Sequence, residues 1–380
     1  MIEAPSLAPP ASALAIREGV CFALFAYEVG LSIDLDRAAE RITALKERAT
    51  IRHKRRAPSY FEYRPAPLRV IQAADGTPVG PFTTAPGVDL LLYDFGAVSV
   101  SYTIPFQGAL GDLLALSEAL YDNSQLLADA RRRVEQLLAD VQPAVTRPSI
   151  ADFVETYAVF EIAALDPPLA PEAVWTAHAQ EIAQILRSER ALLSRQEIGD
   201  ATACRISFGP DDLALIDWEA AILFDRDADD VRDVLEFANV ELLEMRYLDQ
   251  QLDDALDRAY EALSRQTWWR MMIPGATGPD LRRIGALQVE SAVLFEGVNN
   301  ALKLLGDQYL ARLYRLVSER FHLAEWDASI LRKLETLESI YQKLSDSAST
   351  RRMEVLEWII IFLITLSIVL PIVAAVPGAH

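Results

Sequence analysis

The residues best equipped for chemistry lie where an apolar run gives way to acid. Asp225, Asp227, Asp229, Asp230, Asp233 and Glu236 come close to the spacing of a calcium loop, which places oxygens at positions one, three, five and twelve. Asp225, Asp227, Asp229 and Glu236 are therefore the candidate metal ligands. The pattern departs from that loop where the turn is made. Asp230 stands in place of the glycine, Arg232 replaces the usual apolar residue, and a strand leads in where a helix should. The plainer reading is a strand ending in a loop whose carboxylates favour the positive end of the next helix. Further on, Glu236, Glu241, Glu244, Asp249, Asp253, Asp254 and Asp257 lie on one helical segment, but no Glu-x-x-His accompanies them, and His53, His178, His322 and His380 are scattered singly. They read as a solvated acidic face with Arg246 and Arg258 pairing locally.

A second cluster is basic. Arg52, His53, Lys54, Arg55 and Arg56 precede Tyr60, Phe61 and Tyr63, a combination that suits RNA or anionic lipid heads but equally an exposed loop offsetting an acidic body. The formal net charge of -19 argues against nucleic acid as a general partner. Neither Cys21 nor Cys204 has a neighbour for a disulfide or a thiolate metal knuckle, so a reducing compartment is expected. No phosphate-binding loop, nucleophile elbow or zinc motif occurs, and no cofactor or catalytic residue is assigned. Lysine is confined to Lys46, Lys54, Lys303, Lys333 and Lys343 while arginine and alanine are abundant, which reads as high-GC bacterial coding.

These residues must be positioned by an α+β architecture. The 380 residues, 51% of them hydrophobic, suffice for two ordinary domains. A loose tail, 1–15, precedes an α+β domain over 16–225 with a mixed set of strands and helices. Its expected elements are an apolar strand at Val20–Tyr27, a helix from Leu35 to about Arg48, a strand at Leu68–Gln72 and an alternating strand through Val98, Val100, Tyr102 and Ile104. A helix from Leu110 to Val141, a strand from Glu155 to Leu165 and a helix from Pro171 follow. Cys204–Phe208 and Leu213–Phe224 form a hairpin around Gly209 to Asp212, with Ile216, Trp218, Ala220, Ile222 and Phe224 on one face.

Beyond it the pattern is helical: long antiparallel helices over 226–322, then a short coiled-coil stalk over 323–354. Val231, Val234, Ala238, Leu242, Met245, Leu248, Leu252, Leu256 and Leu263 form one apolar stripe, and after a loop from Trp268 to Pro279 a second helix runs from about Asp280 to Leu316. Ile330, Leu334, Leu337, Tyr341, Leu344, Ala348 and Val355 form a heptad seam, whose partner is either the preceding helix or a second copy of the chain.

The last segment, 355–376, is expected to cross a membrane. Trp358 to Val376 carries no charge and at ~1.5 Å per residue spans roughly the ~30 Å of a bilayer core. Trp358, Ile359, Ile360, Ile361, Phe362, Leu363, Leu366, Leu370 and Val373 would meet lipid. Arg351 and Arg352 would hold the bulk of a single-pass, tail-anchored inner-membrane protein on the cytoplasmic side.

Leu215 to Asp257 and Arg351 to Leu370, with Leu92 to Val98 before them, resemble the required-for-meiotic-nuclear-division family. The resemblance covers roughly 90–376. It rests on Trp218, on Glu236, Phe237 and Asn239 in Leu-Glu-Phe-Ala-Asn, on Arg246, Tyr247 and Asp249 in Glu-Met-Arg-Tyr-Leu-Asp, and on Leu356, Glu357 and Trp358 before the last segment. It implies a bacterial member of a membrane-held family with an uncharacterised domain and no agreed catalytic activity. The leading expectation is a membrane-anchored, noncatalytic, oligomeric interaction or scaffold protein. The alternatives are a divergent relative of the CorA-type divalent-cation channels, although the Gly-Met-Asn loop and second span are missing, and a tethered metal enzyme using Asp225, Asp227 and Glu236.

Overall fold

Long runs of alternating or β-rich residues become the middle of a sheet. In the computed structural model, which describes residues 14–43, 45–48, 65–264, 308–343 and positions 357, 360 and 361, the fold is α+β. The strands are β1 (Ala15–Glu28), β2 (Ser32–Ile33), β3 (Leu45–Arg48), β4 (Leu68–Gln72), β5 (Pro78–Val79), β6 (Phe82–Thr83) and β7 (Val88–Leu92). They continue as β8 (Ala97–Ala109), β9 (Val145–Thr146), β10 (Glu155–Asp166), β11 (Cys204–Ile206), β12 (Leu213–Ile216) and β13 (Ala220–Phe224). The helices are α1 (Leu35–Arg41), α2 (Asp112–Leu120), α3 (Ser124–Val141), α4 (Pro171–Leu186), α5 (Arg195–Ala201), α6 (Asp229–Ser264), α7 (Gln308–Arg320) and α8 (323–343).

Nine strands form one sheet in the order β11-β12-β13-β10-β1-β8-β7-β4-β3. All neighbours are antiparallel except β10 and β13. Because side chains alternate along a strand, β1 serves two cores at once. Cys21, Ala23, Phe25 and Tyr27 join Val100 and Tyr102 of β8 beneath α2, α3 and α4. Leu24, with Tyr157 and Val159 of β10, faces the other way onto Val231, Val234, Ala238 and Leu242 of α6 and Leu310, Leu313, Val317 and Phe321 around α7.

The chain divides into two compact units, Met1–Tyr247 with Leu294–Trp326, and Leu248–Val293 with Asp327–His380. The sheet belongs to the first. In the second, Leu252, Ala255 and Ala259 of α6 and Ile330, Leu337 and Ile340 of α8 are buried. Ser329 donates to Asp249 at 3.2 Å, and Lys333 meets Asp249 at 2.8 Å and Asp253 at 2.6 Å. That register makes these two helices run in the same direction.

Three expected elements divide. The helix expected from Leu35 ends at Arg41, and Leu45–Arg48 is a strand paired with β4. The helix expected from Leu110 to Val141 breaks at Tyr121 to Asn123. The second arm of the hairpin turns at Asp217 to Glu219, so Ile216 faces α6 while Ala220, Ile222 and Phe224 face the opposite core.

No helix among the described residues is long and apolar enough to cross a membrane. The longest, α6, has ample length at 36 residues but carries acid or base at nearly every turn. This corrects the expected C-terminal transmembrane helix and, with it, the tail-anchored, inner-membrane placement. Of the expected anchor, Ile360 and Ile361 are described, at 54% and 48% exposure. Trp358, Ile359, Phe362, Leu363, Leu366, Leu370, Val373, Arg351 and Arg352 lie outside the described residues. So do the 1–13 tail, the basic cluster at Arg52, Lys54, Arg55 and Arg56, and the loop from Trp268 to Pro279.

Candidate functional site

The calcium-like residues are spread along the end of β13 and the start of α6. Asp225 accepts from the backbone N–H of Asp227 at 3.1 Å, and Asp229 pairs with Arg232 at 2.8 Å. Glu236 lies two turns further on, buried beside Ser99 of β8; burial raises its carboxyl and the Ser99 hydroxyl lowers it in part. Among the described residues no group of three or more His, Cys, Asp or Glu is placed to hold a metal ion.

Of the expected solvated acidic face, Asp253, Asp254 and Asp257 are exposed, but the first half of α6 is buried. From Val234 to Met245 every residue except Phe237 is buried, including Glu236, Asn239, Glu241 and Glu244. The helix is enclosed because the sheet and α7 both pack on it. Tyr314 donates to Glu241 at 2.5 Å. Glu244 meets Glu28 of β1; burial pushes Glu244 up to about 7, and burial together with repulsion from Glu244 holds Glu28 well above the carboxylate range. The pair can pass one proton between two oxygens that are screened from water. Asn239, at 1% exposure, leaves its Nδ2 without a hydrogen-bond partner among the described residues. Phe237 tilts against Tyr93, Tyr247 against Phe153, and Arg246 pairs across to Glu155 of β10 instead of locally. Asp249, in the second unit, holds Lys333.

A second constellation is built by the two unexpected breaks. Asn123 caps α3, accepting from the N–H of Leu126 at 2.9 Å, and its side chain also donates to the Ala119 carbonyl at 2.6 Å. Asp122 before it has a positive φ of 49°. Opposite lies the β12–β13 turn, closed by the N–H of Asp217 on the Ala220 carbonyl at 2.9 Å. Asp217 is 2% exposed and is gripped by Arg187, at the end of α4, at 3.1 Å and by Arg320, at the end of α7, at 2.8 Å. Both arginines also reach Asp200. Ser188, next to Arg187, has a φ of 51° and its hydroxyl lies 2.6 Å from that of Ser117.

Between these turns is a cavity of about 220 Å³. Its polar wall is Ser117, Asp122, Asn123, Thr156, Ser188 and Glu219; Leu24, Phe25, Leu127 and Val154 are apolar. Burial raises the Glu219 carboxyl, and Asp217 and Asp122 repel it further. Trp218, the family-like residue nearest the cavity, is 38% exposed, edge-on to Phe321 at 6.1 Å and 5.8 Å from the His322 ring. No cavity residue is among the candidates read from sequence. The available signals are the Asp122-Asn123-Ser124 run, which marks a cap, and a lone Asp217 inside an apolar stretch.

The sequence model of the family described as "Uncharacterized protein MJ0711, N-terminal domain" matches residues 18–230. That segment contains every residue of the cavity wall and ends before Glu236, Asn239, Arg246 and Tyr247. The uncharacterized protein MJ0711 of Methanocaldococcus jannaschii is 25% identical over 195 residues, which is 50% of this chain and 58% of that protein. The chain thus spans less than two thirds of the length of this relative. No solved structure matches the chain. With more than half of its length matched, the chain belongs to the MJ0711 N-terminal domain family.

Proposed function

We propose that this chain is a noncatalytic interaction protein that works through a protein partner or further copies of itself. The observation that carries this reading is the helical unit. Ile330 and Leu337 of the expected seam are buried in it, as is Ile340, and Lys333 ties α8 to Asp249 and Asp253, which supports packing of the described part of the seam within one chain. What the unit offers outward is mixed: Asp254, Asp257 and Tyr260 on α6, and Leu331, Glu335 and Glu338 on α8, are exposed. A charged rim around isolated apolar and aromatic side chains suits recognition of another protein. A closer kinship with the required-for-meiotic-nuclear-division family, and a bacterial origin, belong to the same proposal; the kinship is supported by Leu235–Asn239 and Glu244–Asp249, and the origin by the scarcity of lysine beside abundant arginine and alanine.

The test is the mass of the full-length chain, purified from its own cells after mild crosslinking, by light scattering. A complex heavier than one chain is expected, and Asp254→Lys with Asp257→Lys should reduce it. A single-chain mass with nothing retained would sink the reading.

A further inference from the structure

We propose that Glu28 and Glu244 form a pH-operated latch, which holds the turn 244–247 of α6 on the end of β1 while protonated and releases that turn on ionisation. The latch stands apart from the interaction reading and does not depend on it.

Its two halves come from different layers and meet in the interior. Glu28 is the last residue of β1 and 1% exposed; Glu244 of α6 is 2% exposed and lies within hydrogen-bond reach of it. A tight backbone crossing sets the Glu28 end. Val29 donates its N–H to the Gly96 carbonyl at 2.9 Å, and a Cβ on Gly96, where φ is 112°, would collide with the Gly30 carbonyl oxygen and stand 3.1 Å from Glu28 Oε1. The helix end is held more lightly. The sheet unit ends along α6 at Tyr247, one turn beyond Glu244, and that turn is also tied by Arg246 to Glu155, with the arginine side chain 43% exposed, and by the contact of Tyr247 with Phe153.

No positive charge answers the pair. Glu28 accepts one backbone N–H, from Gly30, and the one charge acting on either carboxyl is the other. Charged groups of the neighbouring elements are engaged elsewhere: Arg246 with Glu155 of β10, Glu241 with Tyr314 of α7, Arg69 of β4 with Asp89 of β7, while Glu236 lies beside Ser99 of β8. The β7–β8 turn contributes Tyr93 and Asp94 and no base. Arg147 and Asp152, on the segment whose Ala151 N–H bonds the Glu28 carbonyl, are exposed.

Glu28 Oε2 and Glu244 Oε1 are buried without a hydrogen-bond donor among the described residues. One proton between them gives each oxygen a partner. Its loss leaves two like charges in the layer of Ala26, Tyr93, Phe95, Ala97, Val240 and Leu243, where charge is strongly disfavoured. Release of the turn admits water to both carboxylates and leaves the strand ladders intact, so the relief is local and does not require unfolding. Burial pushes Glu244 up to about 7, which sets the latch near neutrality.

Hydrogen exchange of the full chain, read by mass spectrometry at pH 5.5, 6.5 and 7.5 and corrected for intrinsic rates, tests the latch. Peptides from 240–247 should exchange faster than those from 157–163 of β10, through an opening that 1 M urea does not promote. Their corrected rates should rise about tenfold per pH unit up to about 7 and then level off, since opening releases a proton. Glu28→Gln with Glu244→Gln, neutral throughout, should remove the rise, and each single variant should reduce it. Asp254→Asn, exposed on α6, should leave it unchanged. Should the double variant misfold, the pH and urea dependence of the unaltered chain still decides. Exchange of 240–247 only together with 157–163, a corrected rate indifferent to pH, or a rise that persists in the folded double variant would overturn the latch.

Discussion

Asp217 keeps a carboxylate at 2% exposure between two guanidinium groups, and that single side chain fixes the β12–β13 turn against the ends of α4 and α7. Buried charges tolerate the loss of a partner poorly, so Asp217→Asn should cost about 3 kcal/mol in urea unfolding. A variant as stable as the parent would mean that the arginines are satisfied by Asp200 and Glu197 alone. The Glu28–Glu244 pair behaves differently because burying two facing carboxyls favours their protonated forms. Burial pushes Glu244 and Asp233 up to about 7 and raises Glu28 well above its ordinary value. The folded chain therefore binds protons more tightly than the unfolded one. The stability these groups contribute is full below the unfolded carboxyl pKa of ~4.3 and is lost as pH rises toward about 7. Unfolding followed between pH 5 and 8 should show stability falling. Glu244→Gln, which needs no proton to donate to Glu28, should flatten part of that fall and gain stability at pH 8 while changing little at pH 5. An unchanged slope would show that the pair does not share a proton.

At the scale of elements, Asn123 is the hinge of the cavity, since it both caps α3 and holds the end of α2. Asn123→Ala should cost about 1 kcal/mol, read as a lower melting temperature. The long strands were legible from their composition: the apolar run Val20–Tyr27, the alternating Val98–Ile104 and the stretch Glu155–Leu165 fall inside β1, β8 and β10. Breaks were harder to see. A helical period survives across Tyr121 to Asn123, and the alternation from Leu213 to Phe224 runs through Trp218, although a turn there reverses the chain. Local pattern reports which face is apolar; a turn inside an apolar run depends on partners distant in sequence, here Arg187 and Arg320. The cavity was hidden for that reason, as both of its turns interrupt continuous patterns. The burial of Glu236, Glu241 and Glu244 was hidden for a related one, because acids read as solvated unless a second layer covers them.

For the whole molecule, the heptad seam is the feature whose partner sequence left open. Leu337 is fully buried within the chain. Leu337→Ala should therefore cost about 2–5 kcal/mol, seen as faster hydrogen exchange in 248–264 and 323–343, with no change in particle mass. A drop in mass would place the seam between copies instead. The sheet carries a separate implication, for the order in which the chain is made. β1 lies between β8 and β10, with Ala15 opposite both Ala109 and Asp166. During synthesis at ~5–20 residues per second, the greasy stretch Cys21–Tyr27 leaves the ribosome about 10–30 s before its second neighbour exists. Through that interval the stretch is exposed apolar surface, prone to aggregation. Slow codons between 110 and 166 would lengthen the exposure and lower the soluble yield, whereas slow codons after 230 would not.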